Sequence, residues 1–135
     1  MRSTLQSKRE ASSPVAAILI EPTNAQSGHV ASAGFIRELM KLARENDAAL
    51  IVDEQGTGCG ASGAGFWQSN QSADYVTFGR RTQVSGYFSK DQGKPSDISL
   101  GGSRLGLLQL QAIVGEINSR QLIQNVASVG SDMQH

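Results

Sequence analysis

This 135-residue chain has one cysteine, two histidines and no net charge, and each shortage removes a class of function. The lone Cys59 excludes an internal disulfide framework and any zinc site built from cysteine alone. His29 and His135 are too few and too scattered for a ligand cluster, so no metal is expected. Twelve Lys and Arg balance twelve Asp and Glu. Phosphate backbones are bound through clustered cation excess, so this balance speaks against nucleic acid as a partner. No apolar run approaches the roughly 18–20 residues that span a bilayer, which speaks against a membrane one. The opening MRSTLQSKREASS is basic and Ser-rich but has no apolar core, so it does not read as a secretory signal. The expected compartment is the cytoplasm or the mitochondrial matrix.

What is there fits one domain. A chain of 14.3 kDa is expected to expose roughly 20,000 Å² unfolded and roughly 6,800 Å² folded, enough for one ordinary core. Residues 1–13 read as a disordered leader, 14–130 as the folded part and 131–135 as a tail. Pro14 opens the apolar run Val15–Ile20, the pattern of a strand buried on both faces, and Glu21-Pro22 stops it. A helix is expected over residues 32–46, capped by Ser32, with Phe35, Ile36, Leu39, Met40 and Ala43 on one stripe. The run Ala48–Val52 follows as a second buried strand. Strand, helix and strand within about 40 residues make a βαβ unit. Further strands are expected at residues 75–78 and 85–89, and helices at 104–117 and 120–129. The fold class is α/β: a mostly parallel, mixed sheet with flanking helices.

Asp53-Glu54 stand where the second strand ends, and open parallel sheets bind ligands beyond the carboxyl ends of their strands. Gly58-x-Gly60-x-x-Gly63 follows and matches the dinucleotide fingerprint in form. That fingerprint also requires a helix directly after the third glycine and an acid about 20 residues on. Residues 64–73, AGFWQSNQSA, make a poor helix, and Asp74 comes too early. A nucleotide site and a tight glycine turn with positive φ remain the two readings of this loop.

The order of segments resembles the class III pyridoxal-phosphate aminotransferases, in the 4-aminobutyrate and lysine 6-aminotransferase branch. The resemblance rests on VAAILIEP (15–22), IVDE (51–54), TGCGASG (57–63), FW (66–67), ADYVTFGRRTQVSGYF (73–88) and SLGG (99–102). It implies a piece of the large domain of a fold type I enzyme, without the glycine/serine phosphate loop and the small domain, and pyridoxal phosphate as cofactor. It implies a terminal amine and a 2-oxo acid as substrates. The partner would be a second copy or an intact relative, because the family's site forms between subunits.

By this resemblance Asp53 takes the place of the aspartate that pairs with the pyridine nitrogen, where a carboxylate keeps that nitrogen protonated and makes the ring an electron sink. A solvated strand-end acid is its other reading. Glu21 takes the place of a glutamate on the substrate side, or is simply an acid in the turn before Pro22. Ser99 corresponds to a hydroxyl residue that reaches the cofactor phosphate of the neighbouring subunit. Gln55 and Gly56 stand where the family has a ring-stacking apolar residue and a glutamine that contacts the phenolic oxygen, so one stacking surface and one hydrogen bond are lost. The catalytic Schiff-base lysine's place is assigned to Arg81. A guanidinium stays charged and is a poor nucleophile, so covalent attachment and activity are not expected from this chain alone. Lys90 and Lys94 read as solvated loop charges. The alternatives to a silent aminotransferase are a non-catalytic dimerisation decoy, a decaying-gene product, or a nucleotide-binding domain using Gly58–Gly63.

Overall fold

The computed structural model describes residues 1–10, 12–67, 73–89 and 104–133. Four strands form one sheet in the order β1 (Ala17–Ile20), β2 (Ala49–Asp53), β3 (Tyr75–Phe78), β4 (Gly86–Ser89). The first three run parallel, and β4 returns antiparallel to β3. The helices are α1 (Arg2–Glu10), α2 (Ala33–Glu45), α3 (Arg104–Ser119) and α4 (Leu122–Asp132).

The register sorts the side chains. Ile18 lies opposite Leu50, Ile20 opposite Val52, and Val52 opposite Val76. With a period of two, these residues share one face. That face carries the core: Leu50, Val52 and Val76 are buried, and Leu39, Leu42 and Ala43 of α2 join Leu50 and Ile18. Helix α2 starts as expected, with the Ser32 hydroxyl accepting from the Phe35 amide at 3.1 Å, which satisfies one of the helix's first free N–H groups. Asp74 locks β3 beside β2. Its amide donates to the Leu50 carbonyl at 2.9 Å, while its carboxylate accepts from the Leu50 amide at 2.8 Å.

Three expectations need correction. Residues 2–10 are helical rather than a disordered leader, and Leu5 is buried in the α2–β1–β2 core. Arg2 pairs with Glu45 of α2 at 3.1 Å, and one buried leucine in a polar stretch was too weak a pattern to announce this. At the other end, α4 runs to Asp132, through the boundary placed at 131. Strand β1 is an edge strand and buries one face only, leaving Leu19 64% exposed. A continuous apolar run does not separate a buried strand from an edge strand.

Helix α3 forms despite two glycines, and the two differ. A Cβ on Gly106 would lie 2.8 Å from the Gln83 carbonyl oxygen and 2.9 Å from a Val84 methyl, whereas one on Gly115 would meet nothing. Gly106 therefore lets α3 rest on the segment after β3. Gly106→Ala is expected to lower stability by about 1–3 kcal/mol through overpacking. Gly115→Ala should raise it by about 0.5–1 kcal/mol through helix propensity. Urea denaturation of both variants checks this, and equal effects would rule out the close approach.

Candidate functional site

The carboxyl ends of β1, β2 and β3 gather the chemistry. A cavity of about 370 Å³ lies there, lined by Glu21, Asn24, Ala25, Gln26, Asp53, Gln55, Gly56 and Arg80. That volume is within the roughly 300–1,000 Å³ of small-molecule sites. Glu21 follows β1 and Asp53 ends β2. Arg80 opens a single 3-10 turn (Arg80–Thr82) after β3. Of the residues expected at the site, Glu21, Asp53, Gln55 and Gly56 are brought together here.

Two side chains in this cavity are held by their neighbours. The Asp53 Oδ1 accepts from the Gln55 amide at 2.9 Å and from the Thr77 hydroxyl at 3.0 Å. The Glu21 Oε2 accepts from the Asn24 side-chain amide at 2.7 Å. Asn24 is itself fixed, because its Oδ1 accepts from the Gln26 and Ser27 amides at 3.2 and 2.8 Å and from the Ser27 hydroxyl at 2.9 Å. Asn24 and Arg80 were not singled out from the sequence. An Asn two residues after a Pro in a polar loop is an ordinary turn signal, and only the turn over residues 23–30 brings it back to Glu21.

The two arginines of the 3-10 turn part company. Arg80 lines the cavity, and its φ of 46° is left-handed. Arg81, expected at this position, instead donates from Nε to the Gly56 carbonyl at 2.9 Å and lies near Cys59. Adjacent residues in a tight turn project in different directions, so a displacement of one position decides which guanidinium enters. Ser99, Lys90 and Lys94 lie outside the described residues, as does the SLGG stretch.

Gly56 leaves little room for a larger residue. A Cβ there would stand 3.0 Å from the Ala25 Cβ and 3.3 Å from the Glu21 Oε1. The glycine loop beyond it faces protein. A Cβ on Gly58 would lie 2.4 Å from the Trp67 ring, one on Gly60 2.4 Å from Ile123, and one on Gly63 2.7 Å from the Ala127 backbone nitrogen. Gly60 and Gly63 have φ of 77° and 74°. These glycines admit α4 and Trp67, whose ring packs on Phe66, Phe78 and Phe88 at centroid distances of 4.9, 5.6 and 5.3 Å. No helix occupies residues 64–67 to offer its N-terminus to a phosphate. The tight-turn reading of the loop therefore stands in place of the nucleotide one.

Among the described residues no group of His, Cys, Asp and Glu is arranged to hold a metal ion, and no helix is long and apolar enough to cross a membrane.

Comparison with known proteins gives the family and the fold. The family described as aminotransferase class-III matches residues 2–134. The 4-aminobutyrate aminotransferase of Dictyostelium discoideum is 30% identical over 128 residues, covering 87% of this chain and 26% of that protein. The mitochondrial 4-aminobutyrate aminotransferase of Mus musculus is 33% identical over 130 residues, covering 88% and 26%. Among solved structures, lysine aminotransferase from M. tuberculosis superposes with a TM-score of 0.78 at 25% identity, covering 91% of this chain and 32% of that one. The ornithine aminotransferase of Toxoplasma gondii, at 20% identity and a TM-score of 0.77, shares the fold. The chain spans about a quarter of the length of the curated relatives it matches.

Burial pushes the Cys59 thiol above its ordinary range, and the nearby Arg81 charge pulls it down by less. Folding thus favours the neutral thiol. The associated stability is fully present below the unfolded thiol's pKa and is lost as pH rises through the folded one. Alkylation of Cys59 by iodoacetamide near pH 8 is expected to run at least a few-fold slower in the folded chain than in urea, because the thiolate is the nucleophile. Arg81→Gln should slow it further. An equal or faster rate in the folded protein would contradict this.

Proposed function

The chain belongs to the class III aminotransferases, and from that premise we propose that its cavity is the family's pyridoxal-phosphate site, held open but chemically silent. The observation that carries this reading is that Asp53, Glu21 and Arg80 line one cavity at the ends of three parallel strands. When bound, pyridoxal phosphate supplies an electron-withdrawing ring that stabilises a carbanion. The residues present fit its ring. Asp53 offers a carboxylate whose Oδ1 is already engaged by two donors, which leaves Oδ2 for a protonated ring nitrogen. Gln55 lines the same cavity with its longer, polar side chain where the family stacks an apolar one.

The covalent anchor does not fit. The place of the family's lysine is taken by Arg80, the cavity-lining member of the pair, rather than by Arg81. A guanidinium keeps its proton under ordinary conditions, so Arg80 neither attacks an aldehyde nor carries a proton to and from a substrate carbon. It binds by hydrogen bonds and charge, and the cofactor is held noncovalently. Glu21, steadied by Asn24, stands on the substrate side. The reaction of the intact enzyme would be amino transfer from a terminal amine such as 4-aminobutyrate to 2-oxoglutarate, and this chain alone does not perform it. Mitochondrial relatives support the mitochondrial matrix or the cytoplasm as its compartment.

A second reading, association with another chain of the family, is favoured by the helices. Leu105 and Leu108 of α3 are 63% and 64% exposed, and Val129 and Met133 at the end of the chain are exposed as well. Leu105 and Leu108 stand three residues apart on one helix face, and exposed apolar side chains grouped on one face mark contact surfaces.

Arg80→Lys is expected to gain a yellow chromophore on incubation with pyridoxal phosphate, one that survives desalting and is fixed by borohydride. The unaltered chain and Arg81→Lys should lose the cofactor on desalting. A fixed chromophore in Arg81→Lys alone would reverse the assignment, and no saturable binding by any of the three would end the cofactor reading. For the second reading, light scattering after size exclusion should show a species above 14.3 kDa that dissociates on Leu105→Glu with Leu108→Glu. A strictly monomeric starting protein that forms no complex with a full-length relative would exclude it.

A further inference from the structure

The carboxylate on which the cofactor reading rests does not hold its own direction. Asp53 ends β2, and beyond it the chain turns, with no strand partner on that side chain except the one the register supplies. The register places Thr77 directly opposite Asp53 on β3. Both belong to the sheet face away from the α2 core, alternate to Val52 and Val76. The Thr77 hydroxyl donates to Asp53 Oδ1 at 3.0 Å, and the Gln55 amide donates to the same oxygen at 2.9 Å. Both donors land on one oxygen, so among the described residues Oδ2 retains its full acceptor capacity, on a side chain that lines the cavity.

We propose that Thr77 is a positioning residue for this site: its hydroxyl fixes the Asp53 carboxylate in the orientation that presents Oδ2 to a protonated heteroaromatic nitrogen in the cavity. The proposal deepens the cofactor reading and rests on it for the identity of the occupant.

The physical case has three parts. An aspartate side chain in water samples several rotamers, and one backbone donor restrains one oxygen without fixing the plane of the carboxylate. A second donor from the neighbouring strand removes that freedom. Threonine suits the task because its branched Cβ restricts χ1, so the strand itself aims the hydroxyl. A hydroxyl also donates to an anion without adding charge, so the Asp53 carboxylate remains available to a cationic ring rather than being neutralised by a lysine or arginine. Glu21 and Arg80 are the other charged groups of the cavity. Neither is altered by a change at position 77.

The test compares the unaltered chain with Thr77→Val and Thr77→Ser. Valine keeps the shape and the strand preference but cannot donate, and serine restores the donor. The first readout needs no cofactor: three-bond NMR couplings of the Asp53 side chain. One rotamer is expected in the unaltered chain and in Thr77→Ser, and averaged couplings in Thr77→Val, with thermal midpoints close to one another. A single rotamer in all three, or averaging in Thr77→Val that Thr77→Ser does not reverse, overturns the proposal. The second readout uses pyridoxal phosphate labelled with nitrogen-15. The ring-nitrogen resonance is expected to move toward the unprotonated position in Thr77→Val and to return in Thr77→Ser. Cofactor affinity should fall about tenfold in the valine variant, as for one lost hydrogen bond to a charged group. An unmoved resonance overturns the ring-directed part. If none of the three chains binds the cofactor, the reading of the cavity fails, and the couplings alone still decide whether Thr77 sets the direction of Asp53.

Discussion

The pairing of β2 with β3 is the constraint on which both the core and the cavity depend. It sets Val52 against Val76 on one face and Asp53 against Thr77 on the other. Because side chains alternate along a strand, a slip of one residue would exchange the two faces, bringing a carboxylate into the core and a valine into the cavity. Asp74 guards against this slip by engaging both backbone groups of Leu50, one with its amide and one with its carboxylate. A charged side chain thus acts as an extra rung of the ladder at the end where β3 begins. The burial of Leu50 and Val52, both nearly inaccessible to water, supplies the energy that makes the correct register the deep one.

The same strand ends set two adjacent arginines to different tasks. Arg80 preserves a long cationic side chain in the cavity, and Arg81 holds the carbonyl of Gly56. A lysine and an arginine satisfy similar demands for reach and charge. They differ in whether the proton leaves, and that difference bears on nucleophilic and acid–base work rather than on folding. At Gly56, Ala25 and Glu21 have closed to within 3.0 and 3.3 Å of where a Cβ would sit. A larger residue cannot simply be restored there without moving the Asn24-supported turn. Positions 56 and 80 thus bear on the site in two ways: Gly56 sets the shape of the wall, and Arg80 brings a guanidinium that keeps its proton into the cavity.

Much of this architecture was legible in the sequence because strongly periodic segments encode it. Helix α2 with its Ser32 cap, the runs at β1 and β2, and the short β3 were all placed within a residue or two of where they lie, while of the expected α2 stripe Phe35 is exposed and Leu42, outside it, is buried. Asp53 was legible because strand ends in parallel sheets are where ligands bind. What escaped has a common cause: information held in three dimensions rather than in pattern. Leu5 signals nothing until α2 and the first two strands provide a surface for it. Whether a run such as Val15–Ile20 lies inside a sheet or at its edge depends on strand order, which periodicity does not contain. Of the adjacent arginines it is Arg80 that lines the cavity, and a spacing of one residue in a 3-10 turn, which decides the direction of the side chain, is not visible in a pattern. The glycine loop matched a phosphate-binding spacing, yet its glycines are there because Trp67, Ile123 and Ala127 come too close for a Cβ.

The walls of the cavity come from Glu21 and residues 24–26 after β1, from Asp53, Gln55 and Gly56 at the end of β2, and from Arg80 after β3. A site assembled this way is held by those strand ends and by hydrogen bonds among its own residues. The outer surface does not share this independence. Leu19 on β1 and Leu105 and Leu108 on α3 are among the large apolar side chains left in water. Each exposed leucine forgoes the roughly 1.5–3 kcal/mol that full burial would supply. The cavity is thus locally satisfied while the surface around it is not, and any second chain that covers α3 and the β1 edge would stabilise the whole without touching the residues that shape the cavity.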